Sequence, residues 1–232
     1  SARSSPRRLG SAGVRPLQLG VMIIRGGTFG PVATNTYVVA DALGGQAMII
    51  DPAAGSADWV HDTLSRLDAT PVRVLDTHGH WDHVVENHVW ADAGLPVWVS
   101  AGDADWLEAP APFNPALFGF PPPTPGVVPE RLLGEGDTVE LGELRFRMLA
   151  TPGHSPGCMV AWEERLGHAL VGDLVFAQGI GRTDFPRSDP QAMLLSLDRI
   201  FRELPGETII YPGHGPWDVS LASAEPYARM FM

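Results

Sequence analysis

From Val21 onward, short apolar runs rich in β-branched residues alternate with glycine turns and with stretches of helical period. VMIIR (21–25), NTYVVA (35–40) and QAMIID (46–51) are strand-length and turn-separated, which predicts an opening antiparallel meander. SADWVHDTLSRLD (56–68) places Trp59, Val60, Leu64 and Leu67 on one helical face behind Ser56, a residue type suited to cap the helix start. VRVLDT (72–77) reads as the next strand, followed by a helix over about 83–93 and the strand PVWVS (96–100). The later half repeats this logic. TVEL (138–141), LRFRMLAT (144–151), CMVAWEE (158–164) and HALVGD (168–173) are strands, PQAMLLSLDRIFREL (190–204) an amphipathic helix, and ETIIYPG (207–213) a last strand. Two strand-rich halves flanked by helices predict an α/β protein with two mixed sheets inside and helices outside.

Two segments interrupt the pattern. Residues 109–130 are dense in proline and carry Phe113, Leu117, Phe118 and Phe120. A connection this long is uncommon unless functional, so these side chains either wall a pocket or lie on the body as a surface flap. The start holds Arg3, Arg7, Arg8 and Arg15 with no acid before Asp41. Such a composition resembles an organelle transit peptide, and the missing initiator Met suits a flexible extension instead. The expected division is an extension over 1–19 and one domain over 20–232.

Charge narrows the partners. There are 27 acidic residues against 16 basic ones, all of the latter Arg, giving a net charge of −11. Nucleic acid would be repelled, and no basic stripe offsets this. No apolar run approaches the about 18–20 residues of a membrane helix. The expected partner is a small molecule, and the oligomeric state is not legible. Cys158 is the single cysteine, so no internal disulfide forms, which fits a cytoplasmic setting.

The chemistry begins at THGHWDH (77–83), where three of eight histidines fall within six positions. His78 and His80, alternate residues at a strand end, share a face and can chelate one ion. Asp82 and His83 follow after the chain turns. Three later turns each offer another ligand type beside a strand: His154 in TPGHSPG, Asp173 in VGDLVF and His214 in YPGHGP. Pro-Gly-His turns hold an imidazole rigidly, and a carboxylate closing an apolar strand is costly unless paired or metal-bound.

The order HxHxDH, then His, Asp and His, is similar to the metallo-β-lactamase superfamily over nearly all of residues 21–216. GDLVFAQGIGRTDFP and TIIYPGHGP resemble its glyoxalase II-like branch, particularly the short bacterial members. The resemblance implies a four-layer αβ/βα sandwich with the site at one edge. It implies one divalent metal held by His78, His80 and His154, a second by Asp82, His83 and His214, and Asp173 between them. Zinc suits nitrogen and oxygen ligands without thiolate, with iron or manganese as alternatives. Two such cations share and acidify a water that attacks a carbonyl, and Asp82 doubles as the residue that orients it. Arg182, in GRTDF, matches the branch's basic residue beside the site; it meets either a substrate carboxylate or Asp184.

The resemblance therefore implies a hydrolase of thioesters such as S-D-lactoylglutathione. A persulfide dioxygenase is the alternative, because that family also has GRTDF and a TPGH-x-x-GC segment and binds one iron through the equivalents of His78, His154 and Asp173. The ending YPGHGP favours the hydrolase. A lactonase would use the same seven ligands, whereas class B β-lactamases of the superfamily lack the bridging aspartate. A non-catalytic metal-binding protein on this scaffold would show lost ligands, and none is lost. His61 and His88 sit in helical patterns and read as surface residues, His168 flanks a turn, and Cys158 reads as buried packing.

Overall fold

A computed structural model of the chain describes residues 21–108 and 126–232. The expectations for the N-terminal extension and for the aromatics of the proline-rich stretch fall outside the described residues. One sheet has the order β1 (Ile23–Phe29), β2 (Thr34–Ala40), β3 (Gln46–Ile50), β4 (Thr70–Leu75), β5 (Val97–Ser100) and β6 (Arg131–Leu133). Its first three strands form the antiparallel meander expected, and β3 to β6 run parallel.

The next strands in the chain are β7 (Thr138–Leu141), β8 (Leu144–Ala150), β9 (Met159–Glu163) and β10 (His168–Gly172). After the small hairpin β11 (Val175–Phe176) and β12 (Gly179–Ile180) come β13 (Ile209–Pro212) and β14 (Val219–Ser220). The second sheet is ordered β14-β13-β10-β9-β8-β7. Helices α1 (Ala57–Leu67), α2 (Trp81–Val84), α3 (Asn87–Asp92) and α4 (Ala104–Glu108) belong to the first half, and α5 (Pro190–Glu203) and α6 (Leu221–Ala228) to the second.

Strand alternation explains the layers. In β2, Tyr37 and Val39 point inward with Met48, Ile50 and Leu75 to meet Leu144, Phe146, Met148 and Leu170 of the other sheet. Val38 and Ala40 point outward, where Val60 and Leu64 of α1 and Trp90 of α3 cover them. On the far side Met193, Leu197 and Ile200 of α5 and Leu221 and Ala224 of α6 cover Leu149, Val160, Val171 and Ile210. Helix, sheet, sheet, helix is the sandwich the resemblance implied. No helix among the described residues is long and apolar enough to cross a membrane.

Three local expectations change. The helix expected over 83–93 is two pieces, α2 and α3, broken at Glu86. Glu86 donates its amide to the Pro52 carbonyl, and its carboxylate reaches back to the start of α1. There it accepts the amides of Gly55 and Ala57 at 2.5 and 2.8 Å and the Ser56 hydroxyl at 3.1 Å. Ser56 thus stands at the cap position without capping, and a distant carboxylate satisfies the free amides instead. Lastly, β14 and α6 lie in a stretch where no element was expected. Pro226 sits inside α6, and its buried stripe is partly Ala224 and Ala228, so the helical pattern was faint.

Candidate metal centre

The packing of the two sheets brings four strand ends and one short helix to one edge. His78 and His80 follow β4, Asp82 and His83 lie in the first turn of α2, and His154, Asp173 and His214 follow β8, β10 and β13. An isolated bridge between Thr34 and His214 fastens the sheets together here. Asn35 reinforces it, donating its backbone amide to the Gly213 carbonyl and its side-chain amide to the carbonyls of Pro212 and Gly215.

All seven expected residues converge. His78, His80 and His154 form one group whose potential ligand atoms lie within 4.8 Å of one another, and Asp82, His83 and His214 form another. The Asp173 carboxylate stands between them. Its Oδ2 is 3.3 Å from His154 Nε2 and 3.4 Å from His214 Nε2, and its Oδ1 is 3.6 Å from His83 Nε2. His80 Nδ1 lies 2.7 Å from His154 Nε2. Gly213 is required for this approach, because a Cβ there would land on Asp173 Oδ1 and His83 Cε1.

The donor set fits a cation. His78 Nε2, His83 Nε2 and Asp173 Oδ1 are buried without a hydrogen-bond partner, a condition that costs free energy unless an ion or water engages them. The other ring nitrogens are occupied, which assigns the tautomers. Buried Asp51 is the hub. Its Oδ1 accepts the Thr77 amide at 2.7 Å, and its Oδ2 accepts the Thr77 hydroxyl at 2.7 Å and His83 Nδ1–H at 2.9 Å. Thr77 Oγ1 in turn accepts from His78 Nδ1 at 3.1 Å. His154 Nδ1–H donates to the Arg182 carbonyl at 2.7 Å, and His214 Nδ1–H to the Ala33 carbonyl at 3.2 Å. His78, His83, His154 and His214 therefore all present Nε2 to the site, the arrangement in which an outer partner orients a ligating imidazole.

Electrostatics follow from the same geometry. Burial lowers His78 well below the usual imidazole range, and burial followed by the neighbouring His154 pushes His80 down to about 3. Burial also opposes charge on His83 and His214. There the carboxylates prevail: Asp82, Asp173 and Asp51 carry His83 up to about 9, and Asp173 and Asp82 carry His214 up to about 11. Burial would raise Asp173, but His83, His214 and His154 hold it well below the carboxylate range. Asp82 is likewise lowered against its burial, and its Oδ2 accepts the Thr34 hydroxyl at 2.6 Å. The site thus concentrates negative charge that bound protons or cations must balance.

Arg182 contributes to the site through its carbonyl. Its guanidinium is exposed, makes two hydrogen bonds to the Asp184 carboxylate at 2.9 and 2.7 Å, and lies over the Phe185 ring. The Asp184 pairing weighed for it from sequence is the one the structure contains. His61 packs against Trp90, and His168 against Tyr211, both away from the cluster. Cys158 is buried, and burial raises its thiol.

The residues that sequence reasoning passed over are the supports: Asp51, Thr34, Asp103 and Trp106, whose ring stacks on His80. Asp51 had a signal, since like Asp173 it closes an apolar strand. Thr34 and Trp106 had none.

Comparison with known proteins agrees with this geometry. The chain is 34% identical over 173 residues to hydroxyacylglutathione hydrolase GloC of Haemophilus influenzae, covering 74% of this chain and 81% of that one. It is 26% identical over 192 residues to mouse mitochondrial persulfide dioxygenase ETHE1, covering 83% and 68%. Among solved structures, the B3 metallo-beta-lactamase BLEG-1 superposes with a TM-score of 0.81 at 31% identity, over 90% of this chain and 100% of that one. TTHA1623 in a di-iron-bound form gives 0.77 at 31% identity, over 89% and 99%. The sequence profile described as the metallo-beta-lactamase superfamily matches residues 29–214. The chain belongs to the metallo-beta-lactamase superfamily.

Proposed function

We propose that this protein is a binuclear metal-dependent hydrolase that cleaves a small-molecule thioester, of which S-D-lactoylglutathione is the type. The observation that carries the reading is the position of Asp173, with one carboxylate within reach of both histidine groups. His78, His80 and His154 would hold one divalent ion and Asp82, His83 and His214 the other, with the Asp173 carboxylate between the two groups. When bound, two such ions supply Lewis acidity and an acidified water at neutral pH.

The chain's own residues do the rest. Asp51 and Thr77 fix which nitrogens of His78 and His83 are free. Thr34 holds the Asp82 carboxylate by a hydrogen bond to Oδ2, the oxygen that lies 3.3 Å from His83 Nε2 and 3.4 Å from His214 Nε2, and so fixes the carboxylate at the cluster. Trp106 and Phe185 pack around His80 and shield that side from solvent. In the net reaction a C–S bond breaks, the water oxygen joins the acyl carbon, and the thiol leaves with the second proton.

The similarity to hydroxyacylglutathione hydrolase GloC supports the thioester class. The dioxygenase reading shares these residues and would use His78, His154 and Asp173 for a single iron; the higher identity to GloC, 34% against 26% for ETHE1, favours the hydrolase. The test is elemental analysis of one preparation that is also assayed for thioester cleavage, for oxygen uptake with glutathione persulfide, and for lactone and β-lactam hydrolysis. Two metals per chain with thioester cleavage are expected. One iron per chain with oxygen uptake overturns the proposal, and preferred lactone or lactam turnover replaces its substrate.

A further inference from the structure

The two loops that supply His78, His80 and His154 come from opposite sheets, one after β4 and the other after β8. A third loop, between β5 and α4, joins them through one side chain. Asp103 is fully buried. Its Oδ2 accepts the Gly79 amide at 2.9 Å and the Ser155 hydroxyl at 2.6 Å, and its Oδ1 accepts the Gly157 amide at 2.8 Å. Gly79 lies between His78 and His80, and Ser155 follows His154, so the carboxylate holds one ligand-bearing loop at the amide between its histidines and the other through the Ser155 hydroxyl and the Gly157 amide.

The backbone is cleared to allow this. A Cβ on Gly79 would approach Asp103 Cβ to 2.9 Å, one on Gly157 would approach Asp103 Cγ to 2.5 Å, and one on Gly102 would approach Gly157 Cα to 2.8 Å. Real Cβ contacts are essentially never this short, so three glycines make room for one aspartate. Three residues on, Trp106 stacks on the His80 ring with centroids 5.1 Å apart and planes 17° apart, and the Arg187 guanidinium lies over the Trp106 ring at 4.6 Å. The second group is tied elsewhere: His83 to Asp51, Asp82 to Thr34 and His214 to the Ala33 carbonyl. None of those supports involves Asp103.

We infer that Asp103 is a positioning residue for the His78–His80–His154 group, setting the affinity of that one metal position separately from the position formed by Asp82, His83 and His214. The inference rests on the binuclear reading above. Ligand sites need their donors held within about 0.5 Å, and outer partners that do so are worth about 10–100-fold in metal affinity. Asparagine at 103 keeps the size but replaces one acceptor by an amide that faces a donor, so one of the two loops must move.

The experiment titrates the metal-free full chain with Co(II), followed by visible absorption, for the parent, Asp103→Asn and Ser155→Ala. The parent is expected to show two binding events. Asp103→Asn should weaken one by about 10–100-fold and change its ligand-field bands, while the other stays within about twofold. Ser155→Ala should weaken the same event by less, because the amides of Gly79 and Gly157 keep their acceptor. Unchanged binding in the variants overturns the inference. Equal weakening of both events, with a lower melting temperature of the metal-free protein, overturns it too, because that is general loosening of the fold. Should Asp103→Asn not fold, Ser155→Ala decides alone by the same two criteria. A parent that binds fewer than two ions overturns the binuclear reading itself, before any variant is considered.

Discussion

Asp51→Asn is the sharpest test of how the site prepares its ligands. Asp51 has φ 49°, in the left-handed region that asparagine tolerates well, so the exchange adds no backbone strain. Oδ1 accepts the Thr77 amide at 2.7 Å, which obliges the asparagine oxygen to sit there. The new NH2 then takes the place of Oδ2, facing the Thr77 hydroxyl and His83 Nδ1. Both partners must reverse. His83 has to accept at Nδ1, which puts its proton on Nε2. Thr77 has to accept from the amide and donate to His78 Nδ1, which moves that ring's proton to Nε2 as well.

Two Nε2 lone pairs that face the cluster are thereby lost. With about 10–100-fold for each outer partner, a combined loss on the order of 100-fold in metal affinity follows, or about 2.7 kcal/mol. Competition against a chromophoric chelator measures it, and nitrogen-15 NMR of the metal-free variant, taken above about pH 9 where His83 is neutral, reads the tautomers directly. Affinity within about threefold of the parent, or Nδ1–H retained on both rings, would refute the reasoning.

Other consequences are as direct. Gly213→Ala drives a Cβ onto Asp173 Oδ1 and His83 Cε1, so metal content and hydrolysis should fall together while the circular dichroism spectrum stays that of the parent. Glu86→Ala removes the acceptor of the Gly55 and Ala57 amides and should cost about 1–2 kcal/mol in urea unfolding, whereas Ser56→Ala, which leaves both amides bonded, should cost less. For pH, His83 is raised in the folded state from an ordinary 6.5 to about 9. A raised histidine stabilises fully below the unfolded value and loses that contribution as pH rises through the folded one. The metal-free protein should therefore lose stability between about pH 6.5 and 9, and a flat melting profile across that window would contradict the assignment.

What the sequence determines by itself is what depends on near neighbours along the chain. Apolar alternation and helical spacing gave most of the strands, α1 and α5, because which face a residue occupies follows from the local period. All seven residues of the cluster were legible, since turns that end strands advertise their histidines and aspartates through residue type alone. What only the tertiary structure decided is the partnership between those turns. Asp51 meets His83 across 32 positions, Asp103 meets Ser155 across 52, and Thr34 meets Asp82 across 48. The sheet packing that brings such residues together leaves no periodic trace in the sequence. For the same reason the Ser56 hydroxyl yielded the cap of α1 to Glu86, and Arg182 faces the site with its carbonyl while its guanidinium turns to Asp184. A side chain's type fixes what it can bond, and the fold fixes which bond is within reach.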